Sequence, residues 1–167
     1  MKDLIERKPA EKLLSELKKR GLTVGTAESC TGGNIAHEIT LIPGSSEAMT
    51  GGVVSYSNSV KSNVLGVPAE MIEQNGAVSI PVVEAMARGA RKCLGCDIAM
   101  ATSGIAGPGG GSKQKPVGTV CFAVAGPGES LYSTTLQFSG NRAEVIESAS
   151  REAIYMALRA IDKTTEK

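Results

Sequence analysis

Tryptophan is absent from the 167-residue chain, and three tyrosines and two phenylalanines make up all of its aromatic content. Single-stranded nucleic acids are held by aromatic stacking platforms along a basic groove. This chain has neither, because 18 Lys and Arg nearly balance 17 Asp and Glu, for a formal net charge of +1. No nucleic-acid partner is expected. A small ligand carrying one phosphate remains compatible, since one or two cations suffice to hold it. The scarcity of aromatics also dictates the core, which must be built from Ala, Val, Ile, Leu and Met and packed through close glycine and alanine contacts.

No apolar run approaches the ~20 residues of a membrane span. The first residues, MKDLIERKPAEKLL, lack the apolar segment of a signal peptide. The expected location is cytoplasmic, with no membrane partner. The four cysteines, Cys30, Cys93, Cys96 and Cys121, are then expected to be free thiols. Cys93 and Cys96 form a C-x-x-C, but no second ligand pair at zinc spacing accompanies it. It also straddles a helix end at Gly95 instead of opening a helix, as a redox motif would. No metal and no cofactor is expected.

What is present alternates. Amphipathic helices are read over 2–20 (Leu4, Leu13, Leu14 and Leu17 apolar, Gly21 ending it) and 31–40. A short helical segment is read in SNSVKSNVLGV (57–67), and a helical turn over 68–74 begins at Pro68. A long helix over 80–94 turns Val83, Met86, Ala87, Ala90 and Leu94 to one face. The last helix, about 142–161, turns Val145, Ile146, Ala149, Ala153, Ile154, Ala157 and Ile161 inward. Asn141 and Glu144 form a capping box at its start. Strands are read at 22–27, 51–56, 97–102, 117–125 and 130–138. Apolar strands between helices imply a single α/β domain over 1–167, a three-layer α/β/α sandwich. The GPGE connection between the last two strands makes the sheet mixed and partly antiparallel.

In open α/β sheets, ligands bind beyond the carboxyl ends of the strands. Three such ends stand out: Glu28-Ser29-Cys30-Thr31-Gly32-Gly33, then Tyr56-Ser57-Asn58 with Lys61 just beyond, then the run Ser103 to Gly111. Neither nucleotide glycine motif fits the third segment. Its glycines can still present N–H groups to an oxyanion or ligand, or merely form a solvated connection. Ser29 is a nucleophile or a helix N-cap, and Cys30 is the competing nucleophile. The base follows by elimination. His37, the single histidine, lies eight positions past Ser29 on a helix, about 12 Å away, so an intrachain Ser-His-Asp triad is not expected. A Ser-Lys pair remains. Lys61 is the first choice, and Lys113 and Lys115 are weaker ones. A basic lysine must fall below its usual pKa of about 10.4, with Tyr56, Ser57 and Asn58 available to orient it. The pair is expected within about 2.6–3.5 Å.

TAESCTGG (26–33), GGVVSYSNSVKSNVLGV (51–67), GAVS (76–79) and SGIAGPGGGSKQKPVGTV (103–120) together resemble the CinA C-terminal domain family, from about residue 5 to 160. The resemblance implies a stand-alone nicotinamide mononucleotide deamidase without the larger N-terminal domain of full-length CinA proteins. Such an enzyme hydrolyses the carboxamide to nicotinic acid mononucleotide and ammonia, without a metal, in pyridine nucleotide recycling. It further implies catalytic roles for Ser29, Lys61 and Tyr56, a phosphate contact at Arg142, and a homo-oligomer, dimer or larger. The expected substrate contacts are Cys30, Thr31, Gly32, Asn58, Ser103, Gly104, Ala106, Gly107, Gly109 and Arg142. One departure is Ser103, where threonine is common in the family; the hydroxyl is retained. Two other readings stand beside it: a non-catalytic nucleotide-binding module, and a Ser/Lys hydrolase of another amide.

Overall fold

Two adjacent strands show how the layers are set. Along β3 (Ile98–Gly104) and β4 (Thr119–Ala125), Ile98, Met100, Val120, Phe122 and Val124 fall in one core cluster. Ala99, Ala101, Cys121, Ala123 and Ala125 fall in the other. Strand residues alternate between faces, so one face of the sheet is bulky and the other nearly flat. The computed structural model describes residues 8–163. Leu4 and the start of the first helix lie outside them.

The bulky face is covered by α1 (Lys8–Arg20), α2 (Asn34–Thr40) and α6 (Arg142–Lys163). The flat face takes α5 (Ile80–Leu94), supported by α4 (Ala69–Asn75). The short α3 (Asn58–Asn63) joins this side. The five-stranded sheet runs β2-β1-β3-β4-β5, with β1 at Val24–Glu28, β2 at Met49–Val54 and β5 at Leu131–Gln137. β2, β1 and β3 are parallel, while β4 and β5 are antiparallel to their neighbours. This is the expected three-layer α/β/α sandwich with a mixed sheet. Among the described residues, no helix is long and apolar enough to cross a membrane.

Local signals account for most boundaries. Asn141 and Glu144 make the reciprocal capping box: Glu144 N donates to Asn141 Oδ1 at 3.1 Å, and Asn141 N to Glu144 Oε2 at 2.7 Å. Gly95 closes α5 in the left-handed conformation at φ 63°. Several expected limits shift by one to a few residues, as where the strand read at 51–56 is Met49–Val54, and two of the shifts touch the site. Residues 31–33 form a turn, and α2 starts only at Asn34, after Gly33 at φ 100°. Ser103 and Gly104 lie inside β3, because β4 continues the ladder to Ser103↔Cys121 and Gly104↔Val120.

The flat face permits unusually close contact at Gly89 of α5. A Cβ there would stand 1.9 Å from the Leu65 carbonyl oxygen. In an open helix, Gly→Ala gains about 0.5–1 kcal/mol. Here the clash is with backbone, so the sign reverses. Gly89→Ala is expected to destabilise by about 1–3 kcal/mol, read as a lower thermal midpoint. An unchanged or raised midpoint would show that α5 can move off Leu65.

Candidate active site

Because β2, β1 and β3 are parallel, their carboxyl ends share one edge of the sheet, as expected. Ser29 directly follows β1, and its N–H donates to Thr102 O of β3 at 3.0 Å. The first turn of α3 is capped by Ser57, whose side chain accepts from Val60 N. This places Lys61 one turn in, with its side chain directed back beneath the β2–α3 connection. Nζ donates to Ser55 O at 2.7 Å and to Tyr56 O at 3.3 Å, and lies 3.1 Å from Ser29 Oγ. Lys61 is 1% exposed and Ser29 9%.

All three Lys61 partners are neutral oxygens. Burial pushes its pKa below the ordinary lysine value near 10.5, while a charge on Cys30 works the other way. Cys30 carries no such charge near neutrality. Burial, with the nearby Glu28 carboxylate adding to it, raises the thiol to about 12 against the opposing pull of its own backbone N–H and Lys61. A thiol holding its proton is a poor nucleophile, and of the two neighbours it is Ser29 whose side-chain oxygen meets the Lys61 amine, at 3.1 Å. The N-cap alternative for Ser29 also lapses, since the cap position of α2 is Gly33.

A cleft of about 250 Å³ opens above the pair, lined by Ser29, Cys30, Tyr56, Gly104, Ile105, Ala106, Gly107, Gly109 and Arg142. Arg142 spans its mouth, with Nη1 donating to Gly107 O at 2.7 Å and Nη2 to Tyr56 Oη at 2.9 Å. A second, mainly apolar cavity of about 550 Å³ adjoins it through Ala106 and Arg142, bounded further by Pro108, Val117 and Ile146.

Several sequence expectations are placed elsewhere. Tyr56 is 59% exposed, with its hydroxyl bonded to Arg142; it is the Tyr56 carbonyl that touches Lys61. Asn58 is exposed at the start of α3, and Gly32 is exposed in the turn at φ 61°. Ser103 Oγ donates to Ala77 O at 2.8 Å, tying the GAVS segment to β3. Thr31 is buried, and its hydroxyl donates to Glu28 Oε2 at 2.7 Å. Asn58, Gly32, Ser103 and Thr31 do not line the cleft. Lys113 is exposed, and Lys115 Nζ donates to Asn75 O at 3.1 Å. His37 is exposed on α2. Among the described residues, no group of three His, Cys, Asp or Glu side chains could hold a metal.

Sequence reading passed over Glu28 and Ile105. Ile105 lines the cleft. Glu28 is fully buried at the end of β1, and its one sequence signal is a carboxylate closing an otherwise uncharged strand.

Fold and site together define a class: α/β/α domains that bury a serine–lysine pair at the carboxyl edge of a mixed sheet, under a glycine-lined cleft. The family model of the CinA C-terminal domain matches residues 6–161. The chain belongs to the CinA C-terminal domain family. It is 52% identical over 141 residues to a CinA-like protein of Mycolicibacterium gilvum, covering 84% of this chain and 33% of that protein. It is also 52% identical over 133 residues to one from Parasynechococcus marenigrum, covering 80% and 32%. The chain thus spans about a third of the length of these curated relatives. A solved competence/damage inducible protein from Agrobacterium tumefaciens superposes with a TM-score of 0.91 at 37% identity, covering 93% of this chain and 94% of that one. One from Enterobacter asburiae gives 0.89 at 36%, covering 93% and 98%.

Proposed function

We propose that this domain is a Ser/Lys amidohydrolase whose substrate is nicotinamide mononucleotide. The observation that carries the reaction class is the buried 3.1 Å contact between Lys61 Nζ and Ser29 Oγ, with only neutral oxygens around the amine. A neutral amine has two hydrogens and one lone pair. The hydrogens satisfy the Ser55 and Tyr56 carbonyls, leaving the lone pair for the Ser29 hydroxyl proton. Ser29 Oγ attacks the carboxamide carbon as Lys61 takes that proton. Lys61 then returns it to the departing nitrogen, so ammonia leaves and an acyl-serine forms. Water attacks the ester with Lys61 again as base, and nicotinic acid mononucleotide is released. The oxyanion needs fixed N–H donors. Ala106, Gly107 and Gly109 line the cleft, and their backbone amides donate to no other group among the described residues, so they are the candidate donors. The choice of substrate rests on the resemblance of the four motifs, with Arg142 at the mouth as the cation for its phosphate.

Ammonia release from nicotinamide mononucleotide tests the proposal directly; no release by folded protein would overturn the substrate. A Ser/Lys hydrolase of another amide is the second reading. It is favoured by the adjoining cavity, whose Pro108, Val117 and Ile146 walls suit an apolar group better than a sugar phosphate. A panel of amides with and without phosphate separates the two.

Arg142 gives a narrower expectation. Its guanidinium is held by two neutral acceptors, so donors remain for an anion. Arg142→Ala should raise KM for the mononucleotide by roughly tenfold or more, consistent with the loss of a charge-assisted hydrogen bond, while changing kcat less. Equal kinetics for the variant and wild type would remove Arg142 from phosphate binding.

A further inference from the structure

Among the described residues, only two charged side chains are buried, Lys61 and Glu28. Lys61 has a place in the proposed chemistry; Glu28 does not. Among the described residues its carboxylate has no cationic partner. It accepts four hydrogen bonds: Oε2 from Thr31 Oγ1 at 2.7 Å, Gly33 N at 3.0 Å and Ile35 N at 3.0 Å, and Oε1 from Ala36 N at 2.9 Å. A helix start is ordinarily satisfied by a side chain at the cap position. Here the cap is Gly33, which offers none, and the acceptor comes from the far side of the Ser29–Gly33 turn. A local cap would close the helix and leave that turn free. Glu28 clamps it at both ends.

The clamp continues sideways. The Thr31 hydroxyl has one proton, which goes to Glu28, so the 2.8 Å contact with Thr102 Oγ1 has Thr102 as donor. Thr102 O in turn receives Ser29 N at 3.0 Å. The backbone of Glu28 reaches the other partner, because its carbonyl accepts Ser55 N at 2.8 Å and Ser55 O accepts Lys61 Nζ at 2.7 Å. One residue is therefore bonded to the turn that carries Ser29 and to the segment that holds Lys61.

We propose that Glu28 is a positioning residue, whose carboxylate, through Thr31 and the first amides of α2, fixes Ser29 Oγ at the Lys61 amine. This rests on the reading of Ser29 as nucleophile. Loss of the clamp leaves the cleft walls in place and lets the turn drift, so it acts on turnover and not on binding. A displacement near 1 Å can cost a reaction about 100-fold.

The test uses Glu28→Gln and Thr31→Val with two readouts: ammonia release, and the rate at which a fluorophosphonate probe labels Ser29, located by mass spectrometry. Thr31→Val removes only the bridging hydroxyl and keeps the carboxylate. For E28Q, kcat and labelling rate are expected to fall together by about 10–100-fold, with KM within about threefold. T31V should lose less, and the double variant should lose less than the product of the two, because they disable one unit. Leu17→Ala, which removes a fully buried side chain of α1 beside the amino end of β1, at the opposite end of that strand from Ser29, should destabilise the fold and leave the labelling rate of the folded protein unchanged. Wild-type labelling by folded E28Q would overturn the proposal. If E28Q does not fold, wild-type labelling by T31V overturns it instead. A wild-type protein that is labelled but releases no ammonia from nicotinamide mononucleotide would remove the substrate and leave the Glu28 comparison standing on labelling. A wild-type Ser29 that resists the probe would overturn both readings.

Discussion

Ser29→Ala should abolish amide hydrolysis, lowering kcat by roughly 10³–10⁶-fold, the range seen when the nucleophile of a covalent mechanism is removed. Its folding should change little. Ser29 Oγ makes one side-chain hydrogen bond, to Lys61 Nζ, and Lys61 keeps the Ser55 and Tyr56 carbonyls when that bond is lost. Ser29→Cys separates the proposed mechanism from a merely structural hydroxyl. It restores a nucleophile of greater size in a space where Ser29 is already 9% exposed, so partial activity or thiol-specific acylation should return. The measurement is single-turnover ammonia release with substrate binding followed in parallel. Binding should survive in Ser29→Ala, because the cleft walls at Gly104, Ile105 and Arg142 are untouched. Full turnover in Ser29→Ala would end the covalent mechanism and turn attention to a water activated by Lys61.

How much of this was legible beforehand depends on the reach of each interaction. Helix α5 was readable from end to end, since its apolar positions and the Gly95 stop lie within one segment. So was the Asn141–Glu144 box, a contact over three residues. The three strand ends could be placed on one edge because alternating helices and strands imply parallel strands. Strand limits could not be fixed to the residue. Ser103 and Gly104 read as loop by composition, yet they are strand because β4 pairs with them. Glu28 was invisible as a clamp. Its backbone partners lie five to eight positions ahead, and they converge only once the Ser29–Gly33 turn has formed. The Arg142–Tyr56 contact joins residues 86 apart, and no local pattern encodes it. The contact that favours Ser29 over Cys30 likewise needed the fold, since it turns on which of two sequence neighbours meets the Lys61 amine.

The Lys61 amine links catalysis to stability through one equilibrium. Burial lowers its folded pKa from the ordinary value near 10.5. Below the folded pKa, Nζ carries a proton on the lone pair that Ser29 needs. The acid limb of kcat/KM should therefore fall by about one decade per pH unit, with its midpoint below the lysine norm. The stability effect follows from counting protons. Between the folded pKa and 10.5 the unfolded chain binds the extra proton, so stability rises with pH, by at most about 1.36 kcal/mol per unit. Below the folded pKa the unfavourable contribution is fully present; above 10.5 it is gone. Lys61→Met fills the stem volume and removes the amine, so the stability of the variant minus that of wild type should be largest in acid and shrink across this window. Loss of the amine also leaves the Ser55 and Tyr56 carbonyls without a donor, at about 1–3 kcal/mol for each group left unsatisfied. That penalty does not titrate; it lowers the whole difference curve without changing its slope. Urea unfolding of both proteins from pH 6 to pH 10, about the span over which a buried lysine can titrate, reads the slope, and other titrating groups cancel in the comparison. Lys61→Met should be inactive at every pH. A flat difference would show a Lys61 of ordinary pKa, and with it an ammonium that donates to Ser29 and cannot accept its proton.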